Sequence, residues 1–144
     1  MHHWPWQGLA LRYFSPSEYD HPELMDPAFL KIIDEWRERC GFGIVVIDDA
    51  RTKEEHEALY RAEIQAGKQP PNSAHLRGRA LDCRPVAPSR ERLLIMVGEA
   101  IQMWREGRWP HLGLEIATHH IHVDSDPELA ALGVRPHIWA GVSK

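Results

Sequence analysis

The sequence predicts an α+β fold in which helices pack around a small, mainly antiparallel sheet. Two observations carry that expectation: helix-start signals that each open an apolar stripe at helical spacing, and short β-branched or alternating runs between them. A third is the length of 144 residues with no internal repeat and no low-complexity stretch, which fits a single domain spanning 1–144.

Taken in order, Ser15-Pro16-Ser17-Glu18 reads as a capping box with proline at the first helical position, opening a short helix after Tyr13 and Phe14. Asp26-Pro27 opens a second helix, with Phe29, Leu30, Ile33 and Trp36 on one stripe and Gly41 as its stop. Gly43 to Asp48 contains Ile44-Val45-Val46-Ile47, and the lack of alternation predicts a strand buried on both faces. Thr52-Lys53-Glu54-Glu55 is another capping box, predicting a helix through Leu59 and Ala62 to Gly67 and leaving Arg51 at a strand-to-helix junction.

Gln69 to Ser73 is a loop, and Gly78 permits a turn before a strand from Arg79 to Val86. Ser89 opens the longest helix, with Leu93, Leu94, Val97, Ala100, Ile101 and Trp104 expected to face inward. Leu112 to Ile116 and His119 to Asp124 then form a hairpin at the end of the sheet.

Composition narrows the function. The apolar share of 43% and charged share of 26% are those of an ordinary globular protein, and no run approaches the ~18 apolar residues of a membrane span. The net charge of −4, with lysine and arginine scattered, argues against nucleic acid as a partner, because phosphate-tracking surfaces cluster positive charge. Cys40 and Cys83 make neither a disulfide framework nor a C-x-x-C pair, and are expected as buried small hydrophobes. The segment Met1 to Gln7 is rich in His and Trp and lacks the order of a secretion signal, so synthesis in the cytoplasm and a monomeric state are expected.

The ten histidines are the unusual count, with a concentration at His119, His120 and His122. On a strand, His120, His122 and Asp124 share one face while Ile121 and Val123 point to the core. Upstream, His75 precedes the Gly78 turn and Asp82 lies inside the following strand, so a chain reversal can bring imidazole and carboxylate together. Each residue alone has an ordinary explanation as a surface, core or turn residue. Together, His75, Asp82 and His122 make a three-ligand set for Zn²⁺ that leaves a fourth position for water, and the lack of cysteine among them favours an open catalytic site over a closed structural one.

The pattern Ser73-x-His75-x-x-Gly78-x-Ala80-x-Asp82, followed by His120-x-His122, resembles the signature of the zinc D-Ala-D-Ala carboxypeptidases and dipeptidases. That group of metallopeptidases also includes peptidoglycan endopeptidases of phages and, by fold, the hedgehog signalling domain. The resemblance runs from about Tyr13 to Asp124, with Phe14 to Glu18 similar to the start of one branch and Asp49-Ala50-Arg51-Thr52 standing where the family carries its substrate arginine. It implies His75, Asp82 and His122 as zinc ligands, Arg51 as the residue steering the substrate and Ser73 as a polar substrate contact. Arg51 also suits this role chemically, since its planar fork of donors matches a carboxylate or polarised carbonyl.

For the general base, family members use a Glu three residues before the last ligand, a histidine, or a more distant Glu. The nearest position here is His119, which strand alternation turns away from the metal, so Glu115 and His120 rank above it. Asp124 is either an orienting partner for His122 or a turn residue. The implied activity is metal-assisted hydrolysis of D-alanine-containing peptides of peptidoglycan or its precursors, on the cell wall for a phage enzyme or on free dipeptide in the cytoplasm. Two alternatives remain: a non-catalytic zinc-containing cell-wall-binding module of the same fold and, less favoured by the acidic charge, a metal-dependent nuclease.

Overall fold

The computed structural model describes residues 4–140. His2 and His3, part of the His- and Trp-rich start, lie outside the described residues. The predicted α+β class is what the chain adopts: a five-stranded sheet in the order β1-β2-β4-β3-β5 with helices alongside.

Helix α1, Pro27–Cys40, begins where the sequence signals it. The Asp26 carboxylate accepts the Phe29 N–H, and Gly41 ends the helix in the left-handed conformation. A cap of this kind is worth ~1 kcal/mol. Phe29, Leu30, Ile33 and Trp36 are buried without residual exposure, as their spacing requires. Asp34, on the same helix, accepts the backbone N–H groups of Arg12, Tyr13 and Phe14 and so fastens the N-terminal segment to α1.

Strand β1, Ile44–Asp48, departs from the expectation of burial on both faces: among the described residues it is an edge strand that pairs only with β2, and it leaves Ile47 48% exposed. A run of β-branched residues signals a strand but does not say where in the sheet it lies. The pairing of β1 with β2, Ala80–Pro85, shifts register between Val46 and Asp48. Such a bulge re-aims the strand end, and here Asp48 comes opposite Asp82.

The helix expected from Thr52 to Gly67 forms as two pieces, α2, Lys53–Leu59, and α3, Arg61–Gln65. Tyr60 separates them with a non-helical ψ of 28°, and the exposed Leu59 shows that the stretch has little core contact to hold one continuous rod. Helix α4, Arg90–Arg105, is capped by Ser89 as predicted. Its buried line is Met96, Ala100 and Met103, flanked by the partly buried Leu93, Val97, Ile101 and Trp104, whereas Leu94 is 63% exposed. The inward stripe is therefore rotated from the expected one, with methionine filling its centre.

Strands β3, Leu112–Ile116, and β4, Ile121–Ser125, form the expected hairpin, although β4 starts two residues later than predicted and leaves His119 and His120 in the turn. Leu81, Cys83, Leu112, Leu114, Ile121 and Val123 all have zero exposure and belong to one core with α1 and α4. Trp36 and Trp109 meet edge to face there at 5.6 Å. Both cysteines are free and buried, and burial pushes the Cys40 thiol up to about 12. After α5, Pro127–Ala130, the chain returns as β5, His137–Ala140, which pairs parallel to β3 on the far edge.

Candidate metal centre

Because side chains alternate along a strand, every apolar residue that β2, β3 and β4 send into the core leaves a neighbour on the opposite face. Register decides which neighbours meet. Asp82 on β2 pairs with His122 on β4, His122 with Glu115 on β3, and Glu115 with Trp139 on β5, so the four lie in a row across the sheet. This row runs through a cleft of about 670 Å³ that is also lined by Arg51, Ser73, His75, His120 and Asp124.

His75 reaches the row from a 3-10 turn, Ala74–Arg77, whose first residue follows Ser73. The Ser73 hydroxyl accepts the His75 N–H at 3.2 Å, and Gly78 closes the turn with φ of +66°. A Cβ at position 78 would come within 2.0 Å of the Leu24 carbonyl oxygen, so glycine is required twice over, for its dihedral and for the close approach. The Gly78 carbonyl accepts the Asp26 N–H, tying this turn to the start of α1.

One ligand-type atom from each of His75, Asp82 and His122 lies within 4.8 Å of the others, an arrangement able to hold a metal ion. The hydrogen bonds decide which atoms these are. His75 Nδ1 donates to the Asp49 carbonyl at 2.6 Å, which turns Nε2 toward Asp82 Oδ1 at 3.4 Å. His122 Nε2 is 2.8 Å from Asp124 Oδ2, and its Nδ1 is 2.9 Å from Asp82 Oδ1. Two imidazole nitrogens and one carboxylate oxygen, each ring oriented by an oxygen on its far nitrogen, suit a borderline-soft divalent cation.

The fold has a solved counterpart. The crystal structure of Serratia marcescens L-Ala D-Glu endopeptidase ChiX is similar to this chain with a TM-score of 0.50 over 84% of this chain and 95% of that one, at 16% sequence identity. No protein-family model matches the chain, and a sequence search of curated proteins finds no match. The likeness is one of fold, at an identity too low to carry residue roles.

Electrostatics at the centre follow from the same contacts. Burial pushes the Asp82 carboxyl up, but the hydrogen bonds from His122 and His75 outweigh it and hold the group well below the usual carboxylate range. Burial disfavours the His122 cation, and the bonds to Asp124 and Asp82 override this and raise the ring to about 9. The two carboxylates therefore favour positive charge at the His122 ring, the same preference that suits this position to a cation.

Of the other residues singled out by sequence, Arg51, Ser73, Glu115 and His120 all line the cleft, and His119 instead lines a groove against α4 with Leu93 and Leu94. Sequence reasoning missed the contribution of the C-terminal segment. His137 and Trp139 line the cleft from β5, and Trp139 lies 5.8 Å from the His122 ring. Arg135 pairs with Asp124 at 3.2 Å. The alternation of His137 and Trp139 hints at a short strand, but nothing local says that it joins β3. Gly113 is the remaining silent element: a Cβ there would meet Arg135 and both Asp124 carboxylate oxygens within 2.5 Å.

Proposed function

We propose that this chain is a zinc peptidase-like domain that hydrolyses D-alanine-containing peptide bonds of peptidoglycan or its precursors, as a member of the metallopeptidase group its Ser73-to-Asp82 motif resembles. The observation that carries this reading is the convergence of His75 Nε2, Asp82 Oδ1 and His122 Nδ1 at the floor of an open cleft. The fold likeness to an L-Ala D-Glu endopeptidase is consistent with it. A zinc ion held by these three residues would supply Lewis-acid polarisation of a scissile carbonyl and acidify water.

The chain's own residues supply the rest. Glu115, half-buried and beside His122 in the sheet register, takes a proton from the attacking water and returns it to the leaving amine. His120, from the turn above, is the second candidate for that proton transfer. Arg51, only 12% exposed, offers its remaining donors to a substrate carboxylate or to the charge that develops on the carbonyl oxygen. Ser73 provides a polar contact at the rim, and Asp124 holds the His122 ring in the orientation that ligation needs.

Membrane insertion plays no part in this reading: among the described residues no helix is long and apolar enough to cross a bilayer. The decisive experiment is digestion of intact peptidoglycan by zinc-loaded protein, with mass analysis of the fragments. Loss or release of D-alanine is the expected outcome, while fragments cut between L-Ala and D-Glu would keep the enzyme class and move the bond. Absence of any cleavage across the pH range, or undiminished cleavage by His122→Ala, would overturn the proposal.

A further inference from the structure

His56 sits on α2, five residues after Arg51, and is 3% exposed. Its two ring nitrogens have partners that leave no freedom of tautomer. Nε2 lies 2.8 Å from the Pro71 carbonyl oxygen, which can only accept, so Nε2 carries the hydrogen. Nδ1 lies 3.2 Å from Arg51 Nη1, and a guanidinium can only donate, so Nδ1 must present its lone pair. The Tyr60 ring lies beside the imidazole, with centroids 4.9 Å apart and planes tilted by 57°.

The Arg51 guanidinium is therefore gripped from two sides, by His56 at Nη1 and by Asp48 Oδ2 at Nη2, 2.8 Å away. Its backbone N–H is committed as well, donating to the His75 carbonyl at 2.8 Å. Pro71 begins the stretch Pro71-Asn72-Ser73 that lines the cleft and leads into the His75 turn. One buried imidazole thus spans the arginine and the loop on either side of it.

We propose that neutral His56, in its Nε2–H tautomer, is the positioning residue for Arg51, fixing the guanidinium plane while bracing the Pro71–Ser73 loop. An unbraced arginine has several rotamers to lose when it meets an anion, whereas one already held loses little, and the difference appears as substrate affinity. That consequence for substrate rests on the peptidase reading above, but the brace itself does not. Asp48 alone cannot replace it, because a single ion pair leaves the guanidinium free to turn about that contact.

The brace is read by NMR without any substrate. Histidine side-chain ¹⁵N spectra of the wild type should show His56 protonated at Nε2 and bare at Nδ1; the opposite tautomer would overturn the proposal without any variant. Arg51 Nη resonances, assigned by their loss in Arg51→Lys, should be resolved by slow guanidinium rotation, merge in His56→Ala, and separate again in His56→Gln, whose amide oxygen accepts and whose NH₂ donates. Unchanged Arg51 signals in His56→Ala, or failure of the glutamine variant to restore them, would also overturn it. In muropeptide cleavage, His56→Ala should raise KM about tenfold with kcat and zinc content nearly unchanged, and His56→Gln should restore it. A wild type that turns over no muropeptide would sink the peptidase reading and leave the NMR result to decide the brace.

Discussion

Asp124 Oδ2 lies 2.8 Å from His122 Nε2, and this contact is what turns the other nitrogen of that ring toward Asp82. Asp124 is itself held by Arg135, so the C-terminal segment bears on the geometry of a candidate metal ligand through this ion pair as well as through the Trp139 ring beside His122.

Zinc affinity is the most direct consequence. His75→Ala, Asp82→Ala and His122→Ala should each abolish tight binding, whereas Asp124→Asn should weaken it by roughly 10–100-fold, because the ring keeps its ligand atom but loses its orienting anion. Competition against a chromophoric chelator measures both. Equal affinity in Asp124→Asn and wild type would show that the carboxylate has no orienting role.

Gly113 offers a test that leaves all three candidate ligands in place. Gly113→Ala would push its Cβ into the space between Arg135 and Asp124. Zinc affinity should fall in the same direction as in Asp124→Asn, with the far-ultraviolet circular dichroism of the folded chain retained. A variant that binds zinc as the wild type does would mean the pair can shift without disturbing His122.

The two candidate bases separate kinetically. Glu115→Gln should lower kcat by about 10²–10⁴-fold with zinc content intact, the usual cost of removing a general base. His120→Ala should cost far less. The reverse order would transfer the proton role to His120 and leave Glu115 as a wall of the cleft.

The pH dependence follows from the two shifted groups at the centre. In the metal-free protein the raised His122 contributes stability that is complete below its ordinary value of 6.5 and is lost as pH rises through about 9. The depressed Asp82 contributes stability that is complete above its ordinary value of 3.8 and is lost as pH falls below it. Thermal melting without zinc should therefore be most favourable from about pH 4 to 6.5 as far as this pair is concerned. Zinc must displace the His122 proton, so the zinc-induced rise in Tm should grow between pH 6 and 8. A zinc increment that shrinks over that interval would contradict the raised His122.

Helix starts were legible because caps are local: Asp26, Thr52 and Ser89 each accept a backbone N–H three residues ahead, a contact written in adjacent sequence. The facing of His122 and Asp124 away from Ile121 and Val123 was legible for the same reason, since alternation needs only the strand itself. The burial of β1 and of Leu94 was misread because both depend on which neighbour covers a face, and that neighbour is distant in the chain. The break at Tyr60 was missed because a good capping box says where a helix starts and nothing about what holds its far end.

The sequence by itself determined the helix starts, the strands as far as β4, the alternation around His122 and the candidate donor set of His75, Asp82 and His122, because caps, periodicity and ligand chemistry are properties of short segments. Only the tertiary structure decided that Asp82, His122, Glu115 and Trp139 fall into one row, that His56 grips Arg51, and that Arg135 reaches Asp124. Those pairings depend on strand order and register. Both are set by the whole core closing at once, so no local stretch of chain encodes them.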